Sequence, residues 1–313
     1  MKSIYLLYGS VVAMAAVSLS VVAFPRTARS SAPIRRCGTY EPTALEASRI
    51  ESQVKRDMAK RFSTARIGAA PATQTIDVYF HVITAANGTT GALTDAQIAS
   101  QIAVLNRGFD GTDTLPNGVT PLGPNAVTRF RFVLREIDRT ANDTWFAGND
   151  EFGMKSRLRK GGAGALNVYT SNLGAVGLLG FATFPWWYQG SPIYDGVVIA
   201  FDSLPGFPGP FGLGKTLTHE VGHWVGLYHT FQGGCSKYSD FVADTAAQRQ
   251  SFSGDWFPGG FPGVQPDTCT GRNYPGKDPT DNYMDYSNDA SYTRFSEGQA
   301  ARMSALCRTY RGL

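Results

Sequence analysis

Charged side chains are scarce in this sequence: they make up 17% of its 313 residues, whereas 42% are hydrophobic. This composition excludes a disordered, collagen-like or coiled-coil chain, and it suits one large domain or two small ones. The formal net charge is +4, but residues 1–70 hold 11 basic and only 4 acidic side chains, which leaves the remainder near −3. We therefore expect no nucleic-acid partner, because the main part of the chain lacks the necessary positive charge.

Only one hydrophobic run in the sequence, near its beginning, approaches the length needed to cross a membrane. Residues 4–24 are mostly apolar, follow Lys2 and contain small side chains that suit cleavage after Ala23. Residues 1–23 are therefore predicted to be a signal peptide. An uncleaved anchor is the alternative, because the run approaches the ~20 residues that a membrane span needs. We expect a secreted, extracellular protein with no membrane association once the signal is removed. In such a protein the sequons at Asn87 and Asn142 are candidate N-glycosylation sites.

The segment after the signal peptide has little that could form a core. Residues 24–70 are basic, lack tryptophan and carry one helical pattern, at residues 44–62. We interpret them as a prosegment, with an N-terminal structural arm as the alternative. Residues 71–313 would then form the main domain.

Strand and helix patterns alternate through that domain. Its last third contains a region dense in Gly, Pro, Asp and Thr, residues 232–281, and ends in an amphipathic pattern. The order of elements predicts an α+β fold. Strands are expected at residues 75–84, 129–137, 165–170, 181–186 and 196–201, and helices at residues 94–109, from residue 215 onward and at residues 296–310.

Histidine is also scarce, yet three of the four histidines lie within eleven residues in the pattern H-E-x-x-H-x-x-G-x-x-H. His219 and His223 are four residues apart, so they share one helical face and both can reach one metal ion. Gly226 lets the backbone leave the helix sharply, and His229 then approaches from another direction. Three neutral nitrogen ligands with one open position are typical of catalytic zinc.

Glu220 follows His219 and lies beside the expected metal position, but it cannot itself be a ligand of the metal. Zinc lowers the pKa of a bound water to ~7, and Glu220 is predicted to accept the proton as a general base. His81 is the remaining histidine, and it sits within the first strand pattern. We expect it to be a core residue without a role in catalysis.

The long histidine motif resembles that of the metzincin metalloproteases at every fixed position. The later sequence Asn-Tyr-Met-Asp-Tyr resembles the methionine turn that metzincins place beneath the zinc site. The resemblance assigns Met284 to that turn. It also implies that Tyr286 hydrogen-bonds a zinc ligand or the developing oxyanion.

The flanking segments narrow the resemblance to the pappalysin family, and within it to small secreted proteases of fungi and bacteria. These segments are residues 229–235, 267–269, 282–286 and 294–299, and the resemblance also includes Arg-Cys-Gly-Thr at residues 36–39 of the prosegment. The family implies a metzincin catalytic domain at residues 71–313. Its upper lobe would hold two helices and a twisted, mostly parallel sheet with an antiparallel edge strand, placed at residues 181–186, that pairs with substrate. An irregular lower lobe would end in a C-terminal helix.

The family also bears on the four cysteines. It implies a disulfide between Cys235 and Cys269, whereas a second family bridge is absent because Ser291 replaces one of its ends. Cys37 resembles a cysteine switch, in which a prosegment thiolate occupies the open position on zinc until proteolysis removes it. The alternative is a disulfide between Cys37 and Cys307.

Two further sites follow from the resemblance. Asp240, Asp244 and Thr245 lie where relatives bind structural Ca²⁺ through side-chain and backbone oxygens; a solvated turn is the alternative. Asp289 lies where relatives place an acidic residue at the floor of the pocket just after the scissile bond; the alternative is that it caps a turn. In the pocket it would select Arg, and Lys less strongly, because only Arg makes a two-pronged contact. Self-cleavage before Arg61 or Arg66 would then release the domain.

These observations predict a secreted zinc endopeptidase that acts on protein or peptide substrates as a monomer. The competing hypothesis is a catalytically silent metzincin-like binding module. Inactive relatives commonly lose the general base or a ligand, and here Glu220 and the three histidines are all present.

Overall fold

The computed structural model of the protein describes residues 35–64, 73–114, 121–254 and 265–313. The described residues belong to one compact unit that begins at Ala32. The predicted signal peptide, residues 1–23, and the first part of the predicted prosegment lie outside the described residues. Among the described helices, none is both long and apolar enough to span a membrane.

The centre of the fold is one six-stranded sheet. All neighbouring strands run parallel except β5 and β6, which are antiparallel. The prediction of a mostly parallel sheet is therefore confirmed, and β1 and β5 together run antiparallel to the other four strands. The strands are β1 (Arg35–Cys37), β2 (Gln74–Thr84), β3 (Phe130–Ala141), β4 (Leu166–Ser171), β5 (Leu178–Ala182) and β6 (Val197–Ala200), in the order β1-β5-β6-β4-β2-β3.

The prediction of a strand at residues 181–186 is wrong in its second half. Strand β5 ends at Ala182, and Pro185–Trp187 form a 3₁₀ turn. Pro185 has no N–H to donate to a strand ladder, so the apolar and aromatic run beyond it cannot continue the sheet. Strand β5 is also not at the edge in this structure, because β1, from the predicted prosegment, pairs with its outer side.

The described ranges contain six α-helices. They are α1 (Ala44–Thr64), α2 (Asp95–Asp110), α3 (Asp143–Phe146), α4 (Glu151–Leu158), α5 (Lys215–Trp224) and α6 (Glu297–Leu306), and a π-helical turn, Cys307–Arg311, follows α6. Helix α2 begins with the reciprocal Thr94–Gln97 capping box that its sequence predicts. Helices α3 and α4 were not predicted, because each is shorter than the ~11 residues over which apolar periodicity becomes visible.

The sheet is buried on both faces. On one face α2 and α5 pack through apolar side chains such as Phe109 and Val221. On the other face a smaller cluster includes Ile83 and Tyr169. His81 is fully buried in the sheet, stacks on Tyr169 at 4.5 Å and contacts the Asp138 carboxylate at 2.8 Å. It is the core residue that the sequence predicts.

The region between α5 and α6 is irregular, as expected, and one disulfide joins two of its loops. The bond links Cys235 and Cys269, whose Cα atoms are 5.3 Å apart. Cys37 and Cys307 are both free and buried. The structure therefore does not contain the Cys37–Cys307 bridge, and Cys307 packs in the main core instead.

Candidate active site

The three clustered histidines meet at the end of α5. His219 and His223 project from successive turns of the helix, and Gly226 then takes φ = +108°, a conformation that side chains disfavour. This turn brings His229 back, so that its Nε2 lies 3.2 Å from His219 Nε2 and 3.1 Å from His223 Nε2. All three imidazoles are buried.

The other ring nitrogen of each histidine faces an acceptor. His219 Nδ1 lies 2.6 Å from the Tyr283 carbonyl and His223 Nδ1 lies 2.7 Å from the Leu227 carbonyl. His229 Nδ1 lies 3.0 Å from a carboxylate oxygen of Glu41. Because carbonyl and carboxylate oxygens accept only, each Nδ1 carries the proton and each Nε2 presents a lone pair.

Three lone pairs that converge at about 3 Å repel one another unless a cation lies between them. Burial and the nearby His229 ring lower the pKa of His219 and His223 well below the usual value, so neither ring relieves the repulsion by taking up a proton. Neutral imidazoles are the ligands that divalent metal ions prefer. These residues therefore fit a metal ion.

A fourth candidate ligand comes from the predicted prosegment. Cys37 Sγ lies 3.5 Å from His223 Nε2, and the ligand atoms of Cys37 and the three histidines all lie within 4.8 Å of one another. Burial, followed by the charge of Glu220, raises the pKa of the Cys37 thiol well above its usual value. A thiolate at this position therefore requires a compensating cation, which a bound metal supplies.

Glu220 points toward the same cluster and is fully buried. Burial raises the pKa of its carboxyl to about 8, although the contacts with Cys37 and Thr39 act in the opposite direction. Thr39 donates its hydroxyl hydrogen to Glu220 Oε2 at 3.0 Å and accepts from the Ala182 N–H at 2.9 Å. Thr39 was not predicted as a site residue, since a lone threonine carries no recognisable spacing.

Met284 packs against the helix that carries two of the histidines, and Tyr286 contacts two imidazoles directly. A side chain on Gly222 would approach Met284 Sδ to 2.4 Å, so glycine at this position lets the methionine pack directly against α5. The Tyr286 ring lies against two of the imidazoles, with centroid distances of 5.8 Å to His219 and 4.9 Å to His229. Both residues thus border the histidine cluster.

Asp289 is buried at the beginning of α5, beside the same cluster. Its Oδ2 accepts from the backbone N–H groups of Leu213, at 3.0 Å, and Lys215, at 3.2 Å. Burial raises the pKa of the Asp289 carboxyl to about 6, although the charge of Arg36 and these N–H groups lower it. Asp289 therefore caps the beginning of α5, rather than the local turn in which it lies itself. It also lines a pocket together with Arg36, Glu220 and His219.

Arg36 fills this pocket from the predicted prosegment. Its guanidinium lies 4.0 Å from the centroid of the Phe211 ring. It donates hydrogen bonds to the Ser287 carbonyl, to the Tyr292 hydroxyl at 2.9 Å and to Asn288 Oδ1 at 3.2 Å. The sequence identified Arg36 only as part of a family-like segment, because its hydrogen-bond partners lie about 250 residues away and no local pattern connects them.

The candidate calcium site contains a single carboxylate. Asp240 is buried and accepts from the Thr245 hydroxyl at 2.7 Å and from the Val242 N–H at 3.1 Å. Asp244 faces elsewhere and accepts from the Gly298 N–H at 2.8 Å, in the first turn of α6. Within the described ranges, the cluster at Cys37 and the three histidines is the only group of three or more potential His, Cys, Asp and Glu ligands.

The two sequon asparagines lie in different settings. Asn87 is exposed, in the turn after β2. Asn142 is half-buried and caps α3 by accepting from the Trp145 N–H at 3.1 Å. Glycosylation of either residue stays a prediction.

Comparison with known proteins places this geometry in a family. The model of the M43 peptidases, described as pregnancy-associated plasma protein-A, matches residues 166–308. An extracellular metalloprotease of Pyricularia oryzae is 40% identical over 281 residues, which cover 88% of this chain and 89% of that protein. Extracellular metalloprotease 1 of Coccidioides posadasii is 42% identical over 244 residues, which cover 75% of this chain and 78% of that one. The chain belongs to the pappalysin family.

Solved structures agree with this assignment. A promirolysin mutant from Tannerella forsythia superposes with a TM-score of 0.68 at 29% identity and covers 88% of this chain and 95% of its own. Mature mirolysin in complex with a cleaved peptide gives a TM-score of 0.61 at 32% identity and covers 75% of this chain and 91% of its own. This pappalysin is therefore a metalloendopeptidase with the metzincin fold.

Proposed function

We propose that this pappalysin is a secreted zinc endopeptidase in which His219, His223 and His229 hold the metal and Glu220 is the general base. One observation carries the proposal: three histidine lone pairs converge on one point, with a buried carboxylate at its edge. Three imidazoles with one further position suit catalytic zinc. When bound, zinc lowers the pKa of a water ligand and polarises the substrate carbonyl.

The protein's own groups would handle the proton and the negative charge. Glu220 would accept a proton at its carboxylate and return it to the leaving amine. The Tyr286 phenol, which borders the histidines, donates a hydrogen bond to the developing oxyanion. A silent binding module would have no use for this combination of base, ligands and donor.

Three residues of the predicted prosegment, all between positions 36 and 39, would keep the enzyme inactive before cleavage. Cys37 reaches the metal cluster, Thr39 hydrogen-bonds the Glu220 carboxylate and Arg36 fills the neighbouring pocket. Strand β1 also covers the backbone of β5, which becomes an edge able to pair with extended substrate once β1 leaves. We therefore infer that residues 24–70 form a prosegment that blocks the domain of residues 71–313.

The comparisons support this division, because the pro form of mirolysin covers more of this chain than its mature form does, 88% against 75%. The maturation site is better placed at Arg66 than at Arg61. Arg61 belongs to helix α1, and a protease requires an extended substrate that a helix does not offer. Arg66 lies outside the described residues.

Preference for Arg after the scissile bond is supported by the residue already in the pocket. The prosegment presents Arg36 to a pocket that contains the buried Asp289. A substrate arginine would meet the same aromatic ring and carbonyl oxygen as Arg36, together with the Asp289 charge. Lysine would bind less well because it lacks the planar fork.

The other expectations stay predictions. They are secretion by a signal peptide at residues 1–23, a monomeric state, and structural Ca²⁺ at Asp240 and Thr245. The calcium prediction is supported by the buried carboxylate of Asp240. Burial raises its pKa to about 7, and a bound cation would stabilise its charged form.

The test is digestion of a peptide library by the matured enzyme, with and without a metal chelator. We expect internal cleavage before Arg, abolished by the chelator and restored by zinc. Binding of peptides without cleavage would favour the silent module, and removal of terminal residues alone would indicate an exopeptidase.

A further inference from the structure

Helix α1 of the prosegment buries a single stripe of its surface. Ala47, Glu51 and Val54 follow one another at helical spacing and are each no more than 5% exposed, while the opposite face is exposed. The stripe continues to Asp57, which is half-buried. The charged residues of α1 are segregated by sign. Those on the buried stripe are all carboxylates, whereas the basic residues of α1 are all exposed: Arg49, Lys55, Arg56, Lys60 and Arg61.

The surface beneath this stripe complements it in charge. Arg302 of α6 donates to both oxygens of Glu51, at 2.9 and 2.5 Å, and both side chains are largely buried. The hydroxyl of Tyr310 donates to Asp57 Oδ2 at 2.8 Å. A buried two-pronged arginine–carboxylate contact is among the stronger polar interactions in proteins.

The catalytic domain holds Arg302 in place without help from the prosegment. Arg302 Nε donates to the Gly226 carbonyl at 2.9 Å, and its guanidinium lies 5.2 Å from the centroid of the Tyr228 ring. The surface is therefore preorganised, so little ordering is required when a helix docks on it. None of the contacts between this surface and α1 involves Arg36, Cys37 or Thr39, the residues that block the cleft.

We propose that Tyr228, Arg302 and Tyr310 form a docking surface for helix α1, separate from the cleft. This surface keeps the prosegment bound, and hence the enzyme inhibited, after the chain is cut between α1 and β2. The inference rests on the proposed function, since it requires residues 24–70 to be a removable prosegment. Activation then has two steps: cleavage of the chain, followed by dissociation or destruction of a tightly held inhibitory helix.

The test uses the full chain with Glu220→Gln, so that it cannot digest itself, and with the recognition sequence of a site-specific protease placed at residues 65–72. After cleavage, the dissociation constant of the prosegment is measured by displacement and by gel filtration. Glu51→Gln is expected to raise it about 100-fold, because Arg302 loses its buried partner. Tyr310→Phe, which leaves the prosegment unchanged, is expected to raise it about tenfold.

Glu46→Gln is the matched control. Glu46 accepts from the Thr43 N–H at 2.8 Å in the first turn of α1, and glutamine keeps that capping contact. We expect Glu46→Gln to change the dissociation constant by less than about twofold, which is the small effect usual for a surface substitution.

The outcomes separate this inference from the proposed latency. If Glu51→Gln and Tyr310→Phe both leave the dissociation constant within threefold of the unsubstituted prosegment, the docking surface is refuted, whatever Cys37 does. The activity readout uses the uncut chain with Glu220 retained. If Cys37→Ser leaves that chain as latent as the wild type and does not change the affinity of the cut Glu220→Gln chain, while Glu51→Gln weakens binding, the cysteine switch is refuted and the docking surface stands.

Discussion

The substitution Asp289→Asn removes one charge from the proposed specificity pocket and keeps its shape. Asparagine Oδ1 can still accept from the Leu213 and Lys215 N–H groups, so the beginning of α5 should remain intact. Asp289 is 1% exposed, and water therefore screens its charge poorly.

The expected effect follows from Coulomb's law. Two opposite unit charges about 6 Å apart, at an effective dielectric constant of about 20, attract by about 3 kcal/mol. Loss of this attraction should lower kcat/KM for a peptide with Arg after the scissile bond by about 30- to 150-fold. For the same peptide with citrulline, which has the shape of arginine without its charge, we expect a change of less than about threefold.

The assay compares kcat/KM for the two peptides with matured wild-type enzyme and with the variant at pH 7.5. A variant that keeps the wild-type ratio of Arg to citrulline would refute the role of Asp289 in specificity. A parallel loss for both peptides would show instead that Asp289 acts only by holding α5.

Three further predictions concern pH, latency and stability. Burial raises the pKa of Asp289 to about 6 while Arg36 occupies the pocket, where a substrate arginine would replace it. The carboxylate loses its charge as pH falls through its pKa, so the kcat/KM ratio of Arg to citrulline peptide should fall as pH decreases from 7.5 to 5 and should be flat in Asp289→Asn. Cys37→Ala zymogen should cleave peptide before any chain cleavage, whereas a variant as latent as the wild type would exclude the switch. Replacing Cys235 and Cys269 by Ser in the Glu220→Gln chain should lower the free energy of unfolding by about 3–4 kcal/mol, because the bond closes a loop of 34 residues; unchanged urea denaturation would contradict this.

The metal cluster could be predicted because its geometry is local. The spacing from His219 to His229 is set by one helix and one glycine turn, and both are present as expected. The strand patterns were also clear wherever β-branched and aromatic residues were buried, as in β2.

The remainder could not be predicted because it depends on contacts between distant residues. Thr39 meets Glu220 across 181 positions, and Glu51 meets Arg302 across 251. Neither pair leaves a pattern in a single sequence. The strand predicted at residues 181–186 was extended too far because apolar periodicity outweighed Pro185, which begins a 3₁₀ turn and could not have donated to the sheet.

The proposed mechanism depends on Glu220 as the general base of a zinc centre held by three histidines. Matured wild-type enzyme and Glu220→Gln can be compared for bound zinc, by elemental analysis, and for peptide hydrolysis. We expect one zinc per chain in both proteins and a fall in kcat of at least about a thousandfold in the variant. Near-normal hydrolysis by zinc-loaded Glu220→Gln would contradict this mechanism.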